Sequence, residues 1–106
     1  MVVSGKEASS SAPVVVFSRT TDPYSVKAKR LLTSLGYKFK SIDLDERTDG
    51  KVLEEEIKTL TGLSNTPFIF IGGECVGDNK DLQLLHKLNK LSPMLRDAGA
   101  KEHGKL

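Results

Sequence analysis

Apolar and polar positions follow two different periods along this chain, and the switches between them predict an alternation of strands and helices. Val14, Val15, Val16 and Phe17 form an unbroken apolar run closed by Ser18 and Arg19, which predicts a buried strand feeding a helix. From residue 23 to 35 the period becomes helical. Val26, Leu31, Leu32 and Leu35 share one face, while Lys27, Lys29 and Arg30 face water. Asp22 suits the cap of this helix, because a carboxylate accepts from the free amides of the first turn. Pro23 suits the first helical position, and Gly36 supplies the stop.

Residues 39–44 alternate Phe39, Ser41 and Asp43 against Lys40, Ile42 and Leu44, as in a strand with one well-buried face. Thr48-Asp49-Gly50 then opens a helix over residues 51–60. There Val52, Leu53, Ile57 and Leu60 are expected inward, Glu54, Glu55, Glu56 and Lys58 outward, with Thr61-Gly62 as the end. Residues 67–71 predict a third strand, and residues 74–77 a fourth, joined as a hairpin by the Gly72-Gly73 turn. Leu82, Leu84, Leu85 and Leu88 mark a final amphipathic helix within residues 78–90, and Ser92-Pro93 begins a further turn or two. The opening strand–helix–strand order favours a parallel pair with a right-handed crossover. The class is therefore α/β, a four-stranded mixed sheet with helices on both faces. Periodicity does not supply the strand order.

A chain of 106 residues builds one core, expected over residues 14–100. Residues 1–13 are rich in serine, carry Lys6 and Glu7 and lack an apolar centre, so they read as a flexible leader rather than a secretory signal. Residues 101–106, with Lys101, Glu102, His103 and Gly104, read as a flexible tail. Sixteen basic residues against fourteen acidic ones leave a formal charge of +2, which points to no acidic partner and no nucleic acid. The apolar runs are far shorter than the ~20 residues that span a bilayer. Cys75 is the single cysteine, so an internal disulfide and dithiol chemistry within this chain are excluded. A cytoplasmic monomer is the expectation.

The corner between the first strand and its helix carries the most specific text: Phe17-Ser18-Arg19-Thr20-Thr21, then Asp22-Pro23-Tyr24-Ser25. It resembles the glutaredoxins, small thioredoxin-fold proteins that read Phe-Ser-Lys-Thr-Tyr and then Cys-Pro-Tyr-Cys at this point. The resemblance runs in order through Val26-Lys27-Ala28-Lys29, Leu44-Asp45-Glu46, Asn65-Thr66-Pro67 and Phe70-Ile71-Gly72-Gly73, and spans residues 14–100. It implies a thioredoxin fold and a family activity of glutathione-dependent disulfide reduction. It also implies that Asp22 and Ser25 occupy the family's two cysteine positions.

Disulfide exchange needs a thiolate, which a helix N-terminus stabilises. Asp22, with a usual pKa of about 3.9, supplies the same charge without the sulfur nucleophile. As a helix cap it contributes about 0.5 to 2 kcal/mol. A second role is that of a permanent thiolate mimic, holding partners that recognise the reduced form. Ser25 has no evident base beside it, so a hydrolytic pair with Asp22 is disfavoured.

The resemblance further implies a glutathione-binding set of Arg19, Tyr24, Thr66, Pro67, Asn79 and Asp81. Arg19 faces the glycine carboxylate and Tyr24 lies beside the thiol. Thr66 precedes a cis Pro67 and pairs with the cysteinyl residue, while Gly77 and Asp81 belong to the segment holding the γ-glutamyl end. Asp78, Asn79, Lys80 and Leu63 depart from the family text, so glutathione binding is expected to be weak. No iron–sulfur cluster is expected, because members that bridge one use the corner cysteine.

Three other features have plain readings. Cys75 is expected to be a small, inert core residue. The acidic residues Asp43, Asp45, Glu46 and Asp49 do not match a calcium loop. His86 has no second ligand near it in sequence. Together these observations favour a redox-inactive module that binds glutathione or a thiol-bearing protein. The alternatives are a glutathione-dependent thiol–disulfide oxidoreductase from which the cysteines have been removed, and a structural scaffold.

Overall fold

The structure is a computed structural model describing residues 5–102. The start of the expected leader and most of the expected tail, His103 included, lie outside the described residues. In chain order the elements are α1 (Gly5–Ser9), β1 (Val14–Ser18), α2 (Pro23–Ser34), β2 (Lys40–Asp43), a 3-10 turn at Leu44–Glu46 and α3 (Gly50–Thr61). Then come β3 (Phe68–Ile71), β4 (Glu74–Gly77), α4 (Asn79–Lys87) and α5 (Leu91–Asp97). The strand order is β2-β1-β3-β4, with β1 parallel to β2 and β3 antiparallel to both β1 and β4.

All five residues of β1 are buried, because helices cover both faces of the sheet. The alternation of β1 and β3 divides the core in two. Val14, Val16, Ile69 and Ile71 meet Ala28 and Leu32 of α2, Leu82 of α4, and Leu91 and Leu95 of α5. Val15, Phe17, Phe68 and Phe70 meet Ala8 of α1, Ile42 of β2, Leu44, and Leu53 and Ile57 of α3. The Phe17 and Phe70 rings pack edge to face, their centroids 5.7 Å apart. Phe17 pairs with Phe68, so the chain leaving β1 and the chain entering β3 meet at one end of the sheet.

Several helix faces are rotated from the expected ones. In α2 the buried stripe is Ser25, Ala28 and Leu32, while Val26 is exposed. In α3 it is Gly50, Leu53, Glu54 and Ile57; Val52 and Leu60 are exposed and Glu54, expected in water, is buried. Leu84 and Leu88 are likewise exposed. Each stripe keeps helical spacing, but its centre is set by the sheet rather than by the most apolar set of residues.

Residues 5–9 of the expected loose leader form α1, which rests on α3. Ala8 joins the second core cluster, and the Gly5 amide donates to Glu56 Oε1 at 2.6 Å. The small Gly5 permits this approach, since a Cβ there would stand 3.1 Å from Ile57 Cδ1. At the other terminus the Lys38 amide donates to the Lys101 carbonyl at 2.7 Å, and Tyr37 bridges to Glu102.

Gly50 shows how tightly the turn before α3 is folded, because a Cβ there would overlap the Leu44 carbonyl. In an open helix, Gly→Ala stabilises by about 1 kcal/mol. Here the sign reverses, and Gly50→Ala is expected to cost about 2 kcal/mol or more by overpacking. Urea unfolding measures it; a variant as stable as the parent contradicts the packing.

Candidate functional site

Three pieces of chain converge on Asp22. Asp22 is the N-cap of α2, with extended backbone, and its Oδ1 accepts from the Tyr24 amide at 3.1 Å. Ser25, buried one turn into the helix, donates from Oγ to Asp22 Oδ2 at 2.9 Å and accepts from the Arg19 amide at 3.3 Å. Thr66 Oγ1, from the loop before β3, donates to the same Oδ2 at 2.7 Å. The following Thr66–Pro67 bond is cis.

Burial alone would raise the Asp22 pKa. The hydrogen bonds from Thr66, Ser25 and the first-turn amides together outweigh it and hold the carboxyl below its usual value. The group is therefore a fixed anion at neutral pH and a poor general base. Ser25 is buried and its hydroxyl also accepts from the Arg19 amide, and beside so weak a base the pair is poorly suited to hydrolysis.

Beside this corner lies a groove built from two adjoining clefts that share Tyr24, Asn65 and Thr66. The first, about 540 Å³, is completed by Arg19, Asp22, Glu54 and Lys58. The second, about 490 Å³, is completed by Pro67, Asp78, Asn79 and Lys80. The structure thus brings Arg19, Tyr24, Thr66, Pro67 and Asn79 to one groove. Asp81 is not among the lining residues of either cleft. It is engaged in a reciprocal cap, its Oδ2 accepting from the Asp78 amide and its own amide donating to Asp78 Oδ1, both at 3.2 Å. Gly77, at φ +118°, makes room for that cap, since a Cβ there would overlap the Asp81 carboxylate. Leu63 packs against the second core cluster.

The sequence reading missed Glu54, Lys58 and Asn65. Glu54 accepts from Arg19 Nη2 through Oε1, and its Oε2 lies 3.2 Å from Lys58 Nζ. The four-residue spacing of Glu54 and Lys58 announces their pairing. Nothing in the local text turns that pair toward Arg19. Tyr24 is mostly exposed, with Lys27 Nζ 5.6 Å from its ring centroid.

The remaining candidates lie outside the groove. Cys75 is exposed on the edge strand β4 rather than in the core. Partial burial and the charges of Asp81 and Asp78 push its thiol pKa up, against a hydrogen bond at Gly77, which disfavours the reactive thiolate. Asp43 is bound to Lys29, Ser18 and Ser41, Asp45 to Thr20 and Asp49 to Arg47, so the acidic stretch is divided among separate partners. Among the described residues no group of three or more His, Cys, Asp or Glu side chains converges, and no helix is long and apolar enough to cross a membrane.

Asp22→Ala removes the cap and the acceptor for Ser25 and Thr66, and is expected to cost about 1 to 2 kcal/mol at neutral pH. Because the folded-state pKa is depressed, this stabilisation is complete above the unfolded carboxyl's value and fades as pH falls through the folded one. Urea unfolding at about pH 7 and about pH 3 should therefore show a gap between parent and variant that narrows in acid. An equal gap at both contradicts the assigned role.

The glutaredoxin family model matches residues 14–76. Glutaredoxin-C2 of Arabidopsis thaliana is 44% identical over 95 residues, covering 90% of this chain and 86% of the relative. The holo form of glutaredoxin C1 from Populus tremula x tremuloides matches with a TM-score of 0.88 and 40% identity, over 95% of this chain and 91% of that one. A buckwheat glutaredoxin–glutathione complex matches with a TM-score of 0.87 and 35% identity, over 90% and 86% of the two chains. With its four-stranded mixed sheet and these relatives, the chain has the thioredoxin fold and belongs to the glutaredoxin family.

Proposed function

We propose that this protein is a binding module of its family, holding glutathione or a thiol-bearing protein without exchanging disulfides, with Asp22 and Ser25 standing at the two cysteine positions. The observation that carries this is the Asp22 carboxylate, fixed by Thr66, Ser25 and the Tyr24 amide at the start of α2. A helix N-terminus favours an anion whatever its chemistry, so a carboxylate preserves the electrostatics of a thiolate there. It does not preserve the reaction, because neither Asp22 nor Ser25 offers a sulfur to form a mixed disulfide. A ligand thiol can instead donate a weak hydrogen bond to the carboxylate.

Affinity for glutathione is expected to be low. Asp78 lines the cleft proposed for the γ-glutamyl end and opposes its carboxylate, while Lys80 in the same cleft offsets part of that. Asp81 is committed to its cap. A reducing cytoplasm is the proposed setting, supported by the single unpaired cysteine, and the chain is proposed to act there as a monomer.

The rival is the family's oxidoreductase chemistry, favoured by the helix cap and the cis-proline loop that meet at this corner. Glutathione-dependent reduction of a small disulfide separates the two. The parent chain is expected to run at the uncatalysed rate, and Asp22→Cys combined with Ser25→Cys at least about 100-fold above it. Catalysis by the parent overturns the proposal. A folded but inactive double variant shows that the changed groove contacts have removed the ligand as well.

A further inference from the structure

Glu54 is the only charged side chain among the described residues that is buried, at 7% exposed, and it lies in the wall of the groove. Burying a carboxylate is costly unless cations meet it, and here both oxygens are met: Oε1 by Arg19, Oε2 by Lys58. Arg19 and Lys58 line the same cleft as Asp22. The cleft's two cations are thus balanced by its two carboxylates before any ligand arrives.

We propose that Glu54 is a specificity-determining residue that turns the groove away from free glutathione and toward cysteinyl segments of a protein chain. The inference rests on the function proposed above, with the residue after the ligand's cysteine directed at Arg19. A ligand ending there in a carboxylate approaches Glu54 as a like charge, beside cations whose charge Glu54 already neutralises. Drawing Arg19 or Lys58 toward the ligand also leaves Glu54 buried with half its compensation gone. A ligand whose chain continues through a peptide bond incurs neither cost. Its neutral carbonyl accepts from the guanidinium N–H groups that Glu54 does not use, since Arg19 has five and remains partly exposed.

Calorimetric titration of the full chain with reduced glutathione, and with glutathione amidated at its glycine carboxylate, tests this without any substitution. The parent is expected to bind the amide at least as tightly as glutathione. Glu54→Gln keeps the shape and an acceptor for Arg19 while freeing its charge. It should tighten glutathione about tenfold and the amide by less than about twofold. A parent that prefers glutathione, or a variant that shifts both ligands alike, overturns this inference and leaves the binding function standing. No heat from either ligand with either protein overturns this inference and removes glutathione from the proposed function.

Discussion

The Asp22 carboxylate joins the start of α2, the end of β1 through Ser25 and the Arg19 amide, and the loop before β3 through Thr66. One oxygen caps the helix and the other gathers two hydroxyls. The arrangement keeps the carboxylate ionised because donors surround it. In turn it fixes the Ser25 hydroxyl and brings the Thr66 loop against the helix. The groove depends on this, since Tyr24, Asn65 and Thr66 line both of its clefts.

The sheet supplies the frame on which that corner sits. With β1 central and buried on both faces, its end is held by two independent layers of side chains. The antiparallel pairing of β1 with β3 then brings the Pro67 loop to the same end as the helix start. A short local motif becomes a site only because residues separated by 44 positions, Asp22 and Thr66, are delivered to hydrogen-bonding distance.

What could be read from the sequence is what acts locally. The β-branched run of β1, the Asp22 cap with Pro23 behind it, the Gly62 stop and the Gly72-Gly73 hairpin each follow from chemistry within a few residues. What could not be read depends on distant partners. Glu54 has the composition of a solvated helix residue, and its burial is set by Arg19, 35 positions earlier. The first helix was invisible because its support comes from α3, where Glu56 receives the Gly5 amide 51 positions away. Ser25 displaces Val26 from the buried stripe because its hydroxyl is satisfied by Asp22 and Arg19, contacts that helical periodicity does not encode. The groove-lining set was legible only through resemblance, and Asp81 departs from it because the local cap with Asp78 uses its carboxylate.

A fixed carboxylate at the start of α2, beside a groove whose cations are already paired, is the arrangement on which the proposed function rests, that of holding a ligand rather than transforming it. Backbone amide shifts of the isotope-labelled chain during titration with reduced glutathione test that claim most directly, because they require no chemistry from the protein. The account predicts reversible shifts centred on Asp22, Tyr24, Ser25, Asn65 and Thr66 at millimolar ligand, with the intact mass unchanged. No shift at that concentration, or shifts centred on Cys75 and β4, would contradict it.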